Sequence, residues 1–171
     1  AARSPITYDY AVANNANIMC WPFTRPHAEA ELYRRHLDES IAKHGGTANP
    51  IFALMRHTAL YENQSDRDKA INAITRVLGQ FENLYRNLGD VENGFPKEIP
   101  LCELEGREQY DPLMLEENLM FGSPDTVIKK LKRYQMLGVD EFIYYASMGL
   151  DHAAQKRSLR MFCNEVIPEF K

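Results

Sequence analysis

Ser4 and Thr7 bracket the opening of a helix signal. Ser4 is a capping residue, and Pro5 after it has a φ already suited to the first helical position. The two hydroxyls stand three residues apart, which puts them on one side of the first turn. Free N–H groups and partial positive charge at a helix N-terminus suit a phosphate. Arg3 adds a cation next to them. The same three residues also read as a plain cap beside a surface arginine.

Three further groups carry chemical potential. Cys20 and Trp21 end an apolar run stopped by Pro22. No histidine neighbours Cys20, so a nucleophilic thiolate is not expected. Arg56, His57 and Thr58 lie on a second run, where alternation sends Arg56 and Thr58 to one face and His57 to the other. An inward arginine or histidine there would line a substrate pocket, and a polar residue satisfied at a strand end is the rival reading. Tyr144, Tyr145, Ser147 and Met148 close a third run and are candidates for pocket walls, Tyr145 and Met148 foremost.

Other motifs point away from chemistry. His36 and His44 are eight apart, too far for a helical metal pair, and with His27 and His152 they read as solvated helix residues. No metal is expected. Lys129, Lys130, Lys132 and Arg133 read as the solvated face of an amphipathic helix. Asn63-Gln64-Ser65 matches a glycosylation sequon without a secretion signal to support its use. The chain has no Gly-rich dinucleotide fingerprint, P-loop or nucleophile elbow.

The elements that must position these residues follow from periodicity. A short helix is predicted from Pro5 to about Val12, and a strand over Asn17–Trp21. A helix opened by Thr24-Arg25-Pro26 carries Ala30, Tyr33, Leu37 and Ile41 and closes at Gly45-Gly46. Ile51–Leu60 is the second strand. Ser65-Asp66 caps a long helix bearing Ala70, Ile71, Ile74, Leu78, Phe81 and Tyr85, ended by Gly89. Gly122-Ser123-Pro124-Asp125 opens another, with Val127, Ile128, Leu131 and Tyr134 on one face. Val139–Tyr145 is the third strand, and a last helix from Asp151 turns Leu159, Phe162, Cys163 and Val166 inward. Strands alternating with such helices imply βαβ units and a parallel sheet. Residues 90–110, rich in proline, glycine and acid, are expected to form a long loop or lid. Three strands leave two bare edges, so the pattern reads as the back half of a larger α/β protein, paired with its missing half or with itself.

Composition narrows the classes. The chain has 171 residues, one domain's worth, with 24 acidic against 20 basic residues and a formal charge of −4. A net-negative chain without a basic tail is a poor ligand for nucleic acid. No apolar run reaches the roughly 20 residues of a membrane helix. Three widely spaced cysteines suggest neither a disulfide framework nor a zinc site. A soluble, cytoplasmic domain without a signal peptide is the expectation.

Four segments, in order, resemble the bacterial luciferase-like flavin monooxygenases. Residues 2–11 (ARSPITYDYA) look like the stretch after that family's fifth barrel strand, and Met19-Cys20-Trp21 resembles its sixth. Gly122-Ser123-Pro124-Asp125-Thr126-Val127 with Gly138-Val139-Asp140-Glu141-Phe142 is similar to its closing helix and eighth strand. Residues 158–162 and 165–170 look like its C-terminal helix. The resemblance covers nearly the whole chain and is weakest between about Val91 and Leu119.

That resemblance implies a (β/α)₈ barrel of typically about 250 residues or more, of which residues 1–171 form the second half, strands six to eight, as a single domain. It implies a two-component monooxygenase using reduced FMN, delivered by a separate flavin reductase, and O₂ to oxidise a small organic substrate. Ser4 and Thr7, with Arg3, would hold the FMN phosphate, and Cys20 and Trp21 would lie by the flavin ring. The catalytic residues would belong to the first half, which leaves the isolated chain without a full catalytic set. The full protein would be a homodimer. Two alternatives stay open: a deazaflavin-dependent reductase on the same scaffold, and a non-catalytic flavin-binding half barrel.

Overall fold

The computed structural model describes residues 2–86, 91–97 and 99–170. In chain order run α1 (Pro5–Ala13), β1 (Ile18–Cys20), α2 (His27–Lys43), β2 (Phe52–Leu60) and α3 (Gln64–Arg86). A small hairpin of β3 (Val91–Glu92) and β4 (Phe95–Pro96) follows, then α4 (Leu101–Leu104), a 3-10 turn (Glu108–Tyr110) and α5 (Pro112–Asn118). The chain ends with β5 (Met120–Gly122), α6 (Pro124–Met136), β6 (Glu141–Tyr145) and α7 (His152–Met161). Gly89, Asp90 and the side chain of Tyr85 lie outside the described residues.

The nine-residue β2 is the axis of the sheet. It pairs in parallel with β1 through Phe52–Leu54, with β6 through Ala53–His57 and with β5 through Thr58–Leu60. Every residue of β2 except Met55 is buried. A strand covered on both faces tends to read in sequence as an apolar run, and β2 does so except at Arg56, His57 and Thr58. The parallel sheet agrees with the expectation, and its strand count corrects it. The fourth strand, β5, is three residues long and abuts a helix cap, too short to leave a periodic signal.

One face of the sheet meets the helices. Ile18, Cys20, Phe52, Leu54 and Leu60 pack against Tyr8 and Val12 of α1, Tyr33 and Leu37 of α2, and Val127 and Leu131 of α6. A second core joins Ala59 and Tyr61 to Ala70, Ile71, Ile74 and Leu78 of α3, with Leu104, Tyr110, Leu115 and Phe121. This second core folds part of the expected loop onto α3. Gly79 lets the two surfaces approach, since a Cβ there would lie 2.5 Å from Leu104 Cδ1. Described residues of the 91–110 stretch therefore form a hairpin, a helical turn and a 3-10 turn instead of a bare loop.

Local differences have local causes. The cap of α3 is Asn63, whose Oδ1 accepts from Asp66 N at 2.9 Å, so the sequon asparagine is used in folding. Lys130 does not join the solvated face. It donates to the carbonyls of Leu119 (2.9 Å), Phe121 (3.0 Å) and Glu116, and burial pushes its pKa down to about 8. Along the last helix, Ser158 and Val166 turn inward while Leu159 and Cys163 turn out. A π-helical turn over Phe162–Val166 shifts the register of that face.

Gly122 sits where β5 becomes α6, with φ +138. A Cβ there would lie 2.8 Å from Thr126 Cγ2, and Thr126 is held by Ser123 at the helix cap. Gly122→Ala is therefore expected to lower unfolding free energy by about 2–4 kcal/mol in urea titration. A change within about 0.5 kcal/mol would remove this account of the junction.

Candidate functional site

A cleft of about 800 Å³ opens beyond the carboxyl end of β1. In parallel α/β sheets this is the end where ligands bind, because the loops there are free of the packed layers. Trp21, Phe23, Arg25 and Pro26, just past β1, form one wall. Leu78, Phe81 and Glu82 from the last turns of α3 form another, and Tyr110, Met114 and Asn118 close the third side. Arg3 also lines it. Its place is set by the backbone, since Ala2 N donates to Met19 O at 3.0 Å and so lays residue 2 alongside β1.

Behind the first wall is a cluster of rings. Trp21 meets Phe23 edge-on with centroids 4.9 Å apart, Tyr145 at 5.5 Å and 89°, and Phe81 at 6.3 Å. His57 lies 5.6 Å from Trp21 and 4.5 Å from Tyr145, its cross-strand partner in the sheet. Edge-to-face packing of this kind is the favoured geometry of aromatic rings. His57 is fully buried, and burial pushes its pKa down to about 4, so its imidazole is neutral at pH 7.

Phe23 has φ +59, a left-handed conformation that is costly for a bulky residue. Arg56 holds it there. The fully buried guanidinium donates to Phe23 O (3.1 Å), Arg25 O (2.8 Å) and the hydroxyl of Tyr134 (2.9 Å), with Pro26 O at 3.5 Å. The alternation expected along β2 is present. It turns Arg56 toward the helix layer, away from the cleft, so the expected pocket role of Arg56 is corrected to that of a strut for the Phe23–Pro26 loop. The opposite face belongs to His57.

At the start of α1, the Ser4 and Thr7 hydroxyls are exposed and 3.1 Å apart. Ser4 has an extended backbone, its side chain makes no capping bond, and the first turn carries no acidic residue. This helix start therefore keeps its positive character. Ser4 and Thr7 are not walls of the cleft; they follow Arg3, which is. Cys20 is fully buried under α1, with its sulfur 2.9 Å from the hydroxyl of Tyr8. Burial pushes its thiol up to about 11, which keeps it protonated at pH 7. Tyr145 is half-buried in the ring cluster, and Met148 is fully buried in the second core with Ala59 and Phe121. Tyr144 turns to the helix layer, 2.6 Å from the Ser158 hydroxyl.

The structure thus brings Arg3, Trp21, His57 and Tyr145 to one region and sends Arg56, Cys20 and Met148 into the cores. Sequence reading passed over Phe23, Arg25, Phe81 and Glu82. The first two were findable as residues directly after the strand-ending Trp21. The last two needed the path of α3. His27 and His36 are not plainly solvated either: His27 stacks on Tyr134 at 4.8 Å and His36 packs 5.7 Å from Tyr8. Among the described residues, no group of three or more His, Cys, Asp or Glu is placed to hold a metal ion. No helix among them is long and apolar enough to cross a membrane.

Comparison with known proteins gives this geometry a lineage. The chain is 27% identical over 170 residues to the oxygenase component of the flavin-dependent trigonelline monooxygenase of Acinetobacter baylyi, covering 99% of this chain and 47% of that protein. Its fold resembles that of the monooxygenase RslO1 from Streptomyces bottropensis, with a TM-score of 0.62 at 15% identity, over 99% of this chain and 46% of that one. The chain thus spans about half the length of these relatives. The model of the luciferase-like monooxygenases matches residues 1–141, from the helix that starts beside Arg3 through the sheet to the first residue of β6. With its parallel strands and its cleft at their carboxyl end, this chain belongs to the luciferase-like monooxygenase family.

Proposed function

We propose that the chain is the C-terminal half of a luciferase-like (β/α)₈ barrel acting as the oxygenase of a two-component flavin monooxygenase. A separate reductase would deliver reduced FMN, and a dimer of the full protein in the cytoplasm would oxidise an organic substrate with O₂. The match to a flavin-dependent oxygenase component supports flavin over deazaflavin. The residues present fit FMN. Two exposed hydroxyls 3.1 Å apart at an uncapped helix start suit a phosphate, and Arg3 reaches from that start into an aromatic cleft. That arrangement is the observation that carries the reading.

In this reading Ser4, Thr7 and Arg3 hold the phosphate while Trp21 and Phe23 pack on the planar ring. Bound reduced FMN would supply the electrons that activate O₂. The protein's part is to bind, orient and exclude water. Phe23, Phe81 and Leu78 give each of the two facing walls apolar surface that carries no proton donor. The segment over residues 91–110, anchored on α3 by Leu104 and Tyr110, would act as a lid closing over the cleft.

The test is anaerobic titration of reduced FMN and of reduced riboflavin, which lacks the phosphate. Ser4→Ala combined with Thr7→Val is expected to weaken FMN by roughly 10–100-fold, the loss of two hydrogen bonds to an anion, and to change riboflavin by less than about threefold. Equal weakening of both flavins, or of neither, would refute the phosphate site. Substrate-dependent O₂ uptake on adding a reductase separates a monooxygenase from a non-catalytic flavin binder.

A further inference from the structure

His57 is the one fully buried side chain of β2 whose polar atoms are left over by the fold, among those described. Its neighbours on the strand are satisfied: Arg56 by carbonyls and the Tyr134 hydroxyl, Thr58 by a 2.9 Å bond from its hydroxyl to Arg56 O. Neither ring nitrogen of His57 has a hydrogen-bond partner of good geometry, although the Ser147 backbone lies near enough to the ring to oppose part of the effect of burial on its pKa. The adjacent Trp21 has the same property, its Nε1 buried without a partner. Three unpartnered nitrogens in two touching rings are a concentration that folding alone does not favour, since buried polar groups are normally bonded.

Their position gives the concentration a use. His57 lies 5.6 Å behind Trp21 and 6.5 Å behind Phe23, both of which line the cleft. Trp21 and Tyr145, which cover it, are only half-buried. Trp21 meets Phe23, Phe81 and Tyr145 edge-on, and an aromatic ligand can pack on such rings in offset-stacked or edge-to-face contact. Neutral imidazole offers one N–H, and indole offers another, so the natural complement of the pair is an oxygen acceptor.

We infer that His57, with Trp21 Nε1, is the polar anchor of the cleft, taking a carboxylate or carbonyl oxygen carried on a planar aromatic ring. Such an oxygen can come from an aromatic acid or from the flavin ring itself, and the test separates them. The inference does not depend on Ser4 and Thr7, so failure of the phosphate test leaves it standing. The binding constants of nicotinate, of pyridine (the same ring without the carboxylate) and of reduced FMN are to be measured, the first two by quenching of Trp21, the chain's only tryptophan. His57→Phe keeps a ring in the cluster and removes both nitrogens. It should weaken nicotinate at least about tenfold, the usual scale for a lost hydrogen bond to a charged group, with pyridine changed less than about twofold. The same loss confined to FMN would assign the acceptor to the flavin ring. Unchanged binding of both, or equal weakening of nicotinate and pyridine, overturns the inference. If the variant does not fold, nitrogen NMR of the wild-type histidine decides. A shift of the His57 ring resonances at saturating nicotinate or FMN supports the anchor, and no shift with either refutes it.

Discussion

Arg56→Met should cost about 3–5 kcal/mol of unfolding free energy, because it strips the hydrogen bonds from three neutral groups at about 1–3 kcal/mol each. The guanidinium satisfies the carbonyls of Phe23 and Arg25 and the hydroxyl of Tyr134, all of which the methionine would leave behind. Methionine fills the volume, so the loss reports the polar network and not a cavity. The effect should reach the cleft as well. Phe23 sits at φ +59, and the carbonyl that Arg56 holds is its own. Released, the Phe23–Pro26 loop has no reason to keep that conformation, and ligand affinity in the cleft should fall together with stability. Arg56→Lys should recover only part of the loss, because a single ammonium cannot reach the acceptors on both the loop and Tyr134. Urea titration measures the first effect. A loss below about 1 kcal/mol would mean that the loop is held by something else.

Acidification should destabilise the protein through His57. Its folded pKa of about 4 lies below the ordinary 6.5, so the unfolded chain binds the proton first. The stabilisation is complete above about pH 7 and is lost as pH falls toward 4. Linkage puts the loss at about 2 kcal/mol between pH 7 and pH 5 and about 3 kcal/mol by pH 4. Burial moves His27 the same way. Asp9 and Asp66, held low by hydrogen bonds to Lys43 and Lys69, and Glu116, whose burial is outweighed by hydrogen bonds to Arg67 and Tyr61, add a further loss at more acid pH. The window from pH 6.5 to 5 therefore isolates the histidines. His57→Phe should flatten the slope of stability against pH in that window, while the wild type keeps it. Parallel slopes in the two proteins would show that His57 titrates normally and is reached by water.

The local rules of the chain are legible in its residues. Ser123-Pro124 opens α6 with the serine hydroxyl accepting from Thr126 N, as a capping residue before a proline should. Ala30, Tyr33 and Leu37 are buried on α2 because their spacing leaves no other face for them. Strict alternation on β2 puts Arg56 and His57 on opposite sides, and that much needs only a period of two. Ser4, Thr7, Arg3 and Trp21 are likewise candidates on residue type and position in the sequence alone. Periodicity states that two faces exist and is silent on which one the helices cover. That choice depends on α1, α2 and α6 packing on the side of Phe52 and Leu54, contacts between residues far apart in the chain. It is this packing that made Arg56 a strut and His57 the residue beside the cleft. The walls supplied by Phe81, Glu82 and Tyr110, and the fourth strand β5, rest on the same kind of long-range contact. A three-residue strand or one ring at the end of a long helix carries no signal of its own. Residue types and spacing therefore determined the elements and the list of candidates, while tertiary packing decided which candidates share a site, because burial on one face or the other is settled between segments and not within them.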